Sequence, residues 1–438
     1  MDQLVALTAI AAAILGFGLV SRRAQAGILT PPLAFVAFGV VLGPIGFDLV
    51  GYDLEHGVIH ALAELTLVLV LFTDASRIDL AVVRRQHDLP VRMLVIGLPL
   101  TIAAGVVAGL LIFPEMGFWQ VAAIAAILAP TDAALAQAVV GHPKVPPRIR
   151  QALNIESGLN DGIALPVVLI LASLAAVEAG TGGGERGGLD WAQFVALQVG
   201  LGPLVGIGVG WLGGNLVQRA SQAGWVDGSF LKLSALGLAL LAFAGAELVH
   251  GNGFIAAFCA GLAMGNTARE VCPRLHEFGE TEGQLLALLT FMVFGVAMVP
   301  EAVEHMSWQV LIYAALSLTV IRMVPVALSL MGSKLMLPSI LFLGWFGPRG
   351  LASILFALLV LEALMVESGP LLTVVVTTVS LSVLLHGLTA APLSGAYGRA
   401  CERMSKLAPG AAEDMPVTEM PLRLSTSPQP EGLEKPAE

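Results

Sequence analysis

Residues 129–166 read APTDAALAQAVVGHPKVPPRIRQALNIESGLNDGIALP. The stretch sets Asp132, Glu156 and Asp161 among long apolar runs, and the chain of 438 residues is 56% hydrophobic and only 12% charged, with a mean hydropathy of +0.85. Such a composition lies outside the range of water-soluble domains and indicates an all-α polytopic membrane protein. An ionisable side chain inside the hydrocarbon layer is costly and by default marks a functional site. The carboxylates of this stretch therefore point to ion or proton chemistry near the bilayer midplane.

Two features shape that site. Pro130 lacks an N–H and its ring clashes with the carbonyl of Ala126, so the apolar helix that begins near Phe118 should open just before Thr131 and Asp132. Irregular backbone at membrane depth is tolerated only where protein buries it or where it lines a watery cavity, and in broken-helix transporters such carbonyls ligate cations. On the following helix Glu156 and Asn160 lie one turn apart, and Ser157 and Asp161 share the neighbouring face. At about 1.5 Å per residue, Asp132 sits roughly 21 Å into its helix and Asp161 roughly 20 Å along the next, antiparallel one. Both fall in the middle third of a hydrocarbon core about 30 Å thick. Thr131, Asp132, Ser157, Asn160 and Asp161 are the candidate cation- and proton-binding residues. Two roles stand side by side for Asp132: a cation ligand, or an acceptor for backbone N–H groups that holds the break together.

Outward from this centre, apolar runs fall at about 3–20, 28–47, 58–73, 91–113, 118–140, 148–177, 191–218, 230–249, 252–266, 283–299, 308–331, 336–362 and 368–395, or about 13 transmembrane helices. Lys and Arg collect in alternate loops, among them Arg22, Arg23, Arg84, Arg85, Lys144, Arg148 and Arg150. This bias places those loops in the cytoplasm, the N-terminus outside and the C-terminus inside. The Arg22-Arg23 pair follows the first apolar run, which reads as an uncleaved helix rather than a signal peptide. With span 7 (191–218) as a connecting helix, 1–177 and 230–395 form two inverted six-helix repeats within a transmembrane domain over 1–395. Span 12 should then be broken as span 5 is, and it carries Gly344, Gly347-Pro348 and Gly350. The broken helices 5 and 12 are expected to cross near the midplane. Residues 396–438 form a cytoplasmic tail; from Pro409 it holds six acidic residues, six prolines and no apolar period, and reads as largely disordered.

Arg322, in TVIRMVPV, is a second charge inside an apolar run. Pairing lowers the cost of burying it, so Glu156 and Arg322 are expected to form a structural ion pair between spans 6 and 11; direct cation binding by Glu156 is the competing reading. Pro130, Gly347, Pro348, Arg349 and Gly350 support the broken helices, with Arg349 offsetting the dipole ends of span 12. Glu64 and Glu247 read as satisfied acids of spans 3 and 8, with a secondary proton site as their alternative, and His386 as a packing histidine, with pH sensing as its alternative. No His/Cys/carboxylate spacing suggests a resident metal, no cofactor or nucleic-acid partner is expected, and Cys259, Cys272 and Cys401 are not expected to pair. Gly206, Gly208 and Gly210 resemble part of a dinucleotide turn, but no strand precedes them, and close helix packing is the better account. The segment GTGGGERGG (180–188) lacks the G-K-[ST] ending of a phosphate loop and reads as a flexible outer loop. Without a nucleotide motif, transport would draw on ion gradients.

The T-D pair on an interrupted helix, followed by E-S-G-L-N-D-G on the next, resembles the cation:proton antiporter-1 family, the exchangers of prokaryotic NhaP and eukaryotic NHE type. LFTDASRIDL (71–80), GNGFIAAFCAGLAMGN (251–266), Arg322 in TVIRMVPV and GWFGPRGLASILFALL (344–359) agree, and the likeness spans about residues 5–395. It implies a multi-pass antiporter of the plasma membrane and no enzyme: Na+, or alternatively K+ or Li+, exchanged for H+ by competition at Asp161. It also implies a homodimer, and asparagine instead of aspartate at position 160 implies an electroneutral one-for-one cycle. An intramembrane aspartyl protease also needs two aspartates on adjacent helices, but typically carries Y-D and G-x-G-D where this chain has P-T-D and L-N-D. A cation channel of similar architecture would be separable by its conductance.

Overall fold

In lipid a segment must pair its own backbone groups, so each apolar run becomes a helix or a pair of half-helices. The computed structural model describes residues 2–25, 29–50, 56–85, 88–180, 188–364, 369–407 and 412–420. The chain begins with α1 (Asp2–Gln25), α2 (Pro31–Leu42), α3 (His56–Ser76) and the short α4 (Leu80–Arg85). The helices α5 (Asp88–Arg92) and α6 (Leu98–Ile112) are joined by a π-helical turn, and α7 (Phe118–Ile127), α8 (Ala133–Val140) and α9 (Pro147–Glu178) follow. Next come α10 (Gly188–Gln222), α11 (Gly228–Leu248), α12 (Gly253–Thr267) and α13 (Cys272–Val293), the last continued by a second π turn into α14 (Val299–Glu304). The remaining helices are α15 (Trp308–Leu318), α16 (Val320–Ser329), α17 (Leu337–Trp345), α18 (Leu351–Leu364) and α19 (Gly369–Leu407). Among the described residues there is no strand, and eight helical segments are long and apolar enough to cross a membrane.

Span 5 is broken between α7 and α8, and span 12 between α17 and α18. A third interruption, at Thr319 between α15 and α16, has no glycine or adjacent proline to announce it. There the Thr319 hydroxyl donates to the Ala315 carbonyl at 2.6 Å, a local bond that competes with the helix ladder. The broken helices are buried against α9 and α19 by Ile124, Leu165, Val168, Phe356, Val375 and Val379.

Small residues set the tightest helix contacts. A Cβ on Gly206 or Gly210 of α10 would overlap the backbone of Ala256 or Ala260 in α12, whereas Gly208 faces open space. On α12 itself, Gly261 and Gly265 lie against the carbonyls of Phe72 and Ser76 in α3. The packing account thus applies to two of the three α10 glycines, and it presses α12 between α10 and α3.

The expectation of a disordered tail does not hold throughout. Helix α19 runs past residue 395 to Leu407, and 412–420 folds back onto the N-terminal ends of α9 and α17. Glu413 is 1% exposed, and its Oε1 accepts the Met336 N–H at 2.8 Å and the Ser339 hydroxyl at 2.7 Å. Arg150 pairs with Glu419 at 3.0 Å, and Gln151 accepts the Met420 N–H at 3.1 Å. Composition counts Glu413 as a solvated charge, but the open N-terminus of α17 offers donors that a carboxylate satisfies. The rest of the tail, 421–438, and most of the glycine-rich loop, 181–187, lie outside the described residues.

Candidate functional site

Asp132 is the N-cap of α8. Its backbone is extended (φ −87°), and Oδ1 accepts the N–H groups of Ala134 at 2.7 Å and Leu135 at 3.0 Å. Its other oxygen, Oδ2, accepts the N–H of Leu351, the first residue of α18, at 2.6 Å. One carboxylate therefore caps two half-helices whose positive dipole ends converge on it. A Cβ on Gly350 would overlap Oδ2, so this approach requires glycine. The Asp132 N–H in turn donates to the Pro348 carbonyl at 2.8 Å.

The carbonyl end of α7 is served from span 12. Arg349, fully buried, donates through Nη1 to the carbonyls of Ala129 at 2.9 Å and Pro130 at 3.2 Å, and the Ser353 hydroxyl donates to the Ile127 carbonyl at 2.8 Å. The guanidinium of Arg349 thus faces the negative dipole end of span 5, which corrects its expected assignment to span 12. The sequence places the cation within the motif, but only the crossing shows which helix it serves.

Beside the crossing lies a small polar cluster. Thr131 Oγ1 accepts the Asn160 Nδ2 hydrogen at 2.6 Å and shares a hydrogen bond of 3.0 Å with Ser157 Oγ. All three residues are at most 3% exposed. Asp161, the next residue along α9, is only partly buried. Gly162 lets the Phe258 ring of α12 lie directly on α9 one residue further on.

Glu156 and Arg322 meet at 2.6 Å, with side chains 2% and 1% exposed, and the pair joins α9 to α16. A Cβ on Gly347 would overlap Arg322 Nε, so the break in span 12 packs against the same guanidinium. The arrangement brings Thr131, Ser157 and Asn160 together, assigns Asp132 to the helix crossing and couples Glu156 to Arg322.

Several contributors carry no motif. Glu178, at the end of α9, accepts the N–H groups of Phe118 at 3.1 Å and Trp119 at 3.0 Å and so caps α7. Ser382 Oγ accepts the Arg349 N–H at 2.7 Å, and His386 Nε2 meets the Trp345 carbonyl at 2.9 Å. The signal that finds them is the demand of an interrupted helix for partners, met by a serine and a histidine one turn apart in an apolar helix. Glu247 accepts the Gly253 N–H at 2.8 Å. Together with Glu64, Gln198 and Asn252, Glu247 lines a cavity of about 380 Å³ between α3, α10 to α12 and α18.

Residues 8–395 match the family model described as sodium/hydrogen exchanger, transmembrane. A protein of Schizosaccharomyces pombe named as a probable Na+/H+ antiporter is 26% identical over 355 residues, covering 76% of this chain and 45% of its own length. The K+/H+ antiporter NhaP of Alkalimonas amylolytica is 24% identical over 351 residues, covering 78% of this chain and 57% of its own. The chain thus spans about half the length of these relatives. The solved structure of the sodium proton antiporter MjNhaP1 from Methanocaldococcus jannaschii aligns over 91% of this chain and 100% of that one with a TM-score of 0.74, at 19% identity. That likeness establishes the shared fold. With the family model running through both broken helices and the polar cluster between them, this chain belongs to the transmembrane sodium/hydrogen exchanger family.

Proposed function

We propose that the chain is a secondary antiporter that exchanges a monovalent cation, Na+, for H+, with Asp161 as the shared binding site. The observation that carries this reading is how the three carboxylates are used. Asp132 has both oxygens on backbone N–H groups of two half-helices, Glu156 pairs with Arg322, and Asp161, half-buried on α9, follows Asn160 of the polar cluster. A carboxylate removed from bulk water needs a proton or a cation beside it, and a single site that takes either one makes the two compete. Thr131, Ser157 and Asn160 supply neutral oxygens for a dehydrated cation. Exposing that site to each side in turn gives exchange without nucleotide.

The finer reading rests on the same arrangement. The repeats 1–177 and 230–395 flank the connecting helix α10, the N-terminus faces outward and the C-terminus the cytoplasm, and the protein works as a homodimer in the plasma membrane. Asp132 holds the crossing, Glu156 and Arg322 brace it, and one proton exchanges for one cation. A K+/H+ cycle is the second reading, favoured by the name of the Alkalimonas relative. Purified protein in liposomes with an imposed ΔpH tests both. Wild type should dissipate the gradient on addition of Na+, K+ or Li+ in an order that defines selectivity, and Asp161→Asn should not. Equal rates in the two proteins would sink the assignment to Asp161.

A further inference from the structure

The break in span 12 leaves backbone groups at membrane depth that the helix cannot satisfy itself. The Trp345 carbonyl, at the end of α17, receives the Gly347 N–H at 2.8 Å on one side and His386 Nε2 at 2.9 Å on the other. A carbonyl cannot donate, so this contact is a hydrogen bond when Nε2 carries a hydrogen. On the other face of the ring, Nδ1 lies 3.1 Å from Ser382 Oγ and 3.0 Å from the Ser382 carbonyl. Ser382 Oγ already accepts the Arg349 N–H at 2.7 Å, which leaves its own hydrogen for Nδ1. With the hydrogen on Nε2, the Trp345 carbonyl, the Ser382 hydroxyl and the Arg349 N–H each have a partner, and the Ser382 carbonyl, an acceptor within α19, lies against Nδ1 with no hydrogen between them. All of it is sealed from solvent: His386 is 1% exposed, and Ser382 and Arg349 are 0%.

The chain of contacts continues into the polar cluster. Arg349 leaves the Ser382 anchor and places its guanidinium on the Ala129 and Pro130 carbonyls, just before Thr131. Pro348, one residue earlier, holds the Asp132 N–H just after Thr131. The two neighbours of Thr131 are therefore fixed by two consecutive residues of span 12; Ser382 on α19 fixes Arg349, and His386 holds Trp345, three residues before Pro348. A histidine that only filled space would make none of these bonds.

We propose that His386, donating from Nε2 to the Trp345 carbonyl, is a positioning residue for the cation site, acting through Ser382, the span 12 break and Arg349 on Thr131. The inference rests on the antiport reading, and its test separates the two. His386→Leu fills the volume without a donor, His386→Gln keeps an amide N–H that can reach the Trp345 carbonyl, and His386→Asn keeps one that is too short. Each is reconstituted to measure the apparent KM and kcat for Na+, and each is melted in detergent with and without Na+, which reads cation binding without turnover.

The expected result is a rise of about tenfold in apparent KM for His386→Leu, the equivalent of one lost hydrogen bond, with the Na+-induced rise in Tm reduced in parallel. His386→Gln should recover most of both, and His386→Asn should not. A packing role alone would lower the melting temperature and leave the KM and the Na+ response of the folded protein unchanged; that outcome overturns the proposal, as does a Gln variant no better than Leu or Asn. If His386→Leu fails to fold, the Gln and Asn variants decide. Wild type that binds Na+ but does not exchange it would instead count against the antiport reading, and the Na+ melts of the variants would still decide the role of His386.

Discussion

Asp132 Oδ2 accepts the Leu351 N–H at 2.6 Å, and through this bond one carboxylate ties the first half of the chain to the second at the point where both spans are broken. Both oxygens are in use, because Oδ1 accepts two N–H groups of α8. Asparagine has one oxygen, so whichever way it turns, its NH2 group faces a backbone donor. Asp132→Asn should therefore cost about 1–3 kcal/mol, the penalty for a buried donor without an acceptor. Thermal melts in detergent check this, and a variant that melts like wild type would show that the crossing does not depend on the cap.

Glu156 and Arg322 predict a different pattern. Removing either partner leaves a buried charge without its counter-ion, so Glu156→Gln and Arg322→Met should each destabilise by about 3–5 kcal/mol. The double variant removes both charges and should be milder than the sum. Additive losses would count against coupling between the two side chains, even at their 2.6 Å separation.

Gly350→Ala tests the closeness of the crossing. The added methyl would overlap Asp132 Oδ2, and overpacking of this kind costs about 1–3 kcal/mol. Gly237→Ala on α11 has nothing within 4 Å of its added Cβ and serves as the control, neutral or stabilising by up to about 1 kcal/mol. Similar melting shifts for the two would mean that the break adjusts to the methyl.

The tail segment 412–420 is held by buried and by exposed contacts, and magnitudes separate Glu413 from Glu419. Glu413→Ala removes the carboxylate that caps α17 and should cost about 1–2 kcal/mol. Glu419→Ala breaks a pair in which Glu419 is 44% exposed, worth about 0–1 kcal/mol. Melts of the full-length variants should rank Glu413→Ala well below Glu419→Ala, and the reverse order would mean that surface pairing holds the segment.

These contrasts show what a sequence makes legible. Asp132, Glu156 and Arg322 stand out because charge is rare and costly in an apolar chain, and Pro130 and Gly347-Pro348 because they interrupt helices that nothing else interrupts. What periodicity cannot convey is which helix lies across which. Arg349 is visible as a buried cation, but its partners at Ala129 and Pro130 are 220 and 219 residues away in the chain. Glu413 reads as one more acid in a polar tail until α17 is placed beside it. Ser382 and His386 belong to an apolar run whose pattern is indifferent to them, and only the unsatisfied groups of span 12 give them a purpose. The Thr319 break escapes for the opposite reason: a threonine in an apolar helix usually returns its hydroxyl to the preceding turn without breaking it.

Stoichiometry gives the last prediction. If Asp161 alone takes either one proton or one Na+, the loaded site carries the same charge in both half-cycles, and exchange is electroneutral. Asn160 contributes its amide to Thr131 but no exchangeable charge, and Glu156 is matched by Arg322. The Na+ gradient at which net proton flux stops should then be unaffected by a membrane potential clamped with valinomycin and K+, provided K+ is first shown not to be transported. A shift of that null point with voltage would require unequal numbers of protons and cations, and a second titrating group with them. Asn160→Asp is the complementary experiment, because a second carboxylate next to Asp161 adds one exchangeable charge to the site. A voltage-dependent null point in that variant, beside a voltage-independent wild type, would place the determinant of stoichiometry at position 160. Wild type is the decisive case, since a variant that stays neutral shows only that a nearby cation such as Arg322 has matched the new charge.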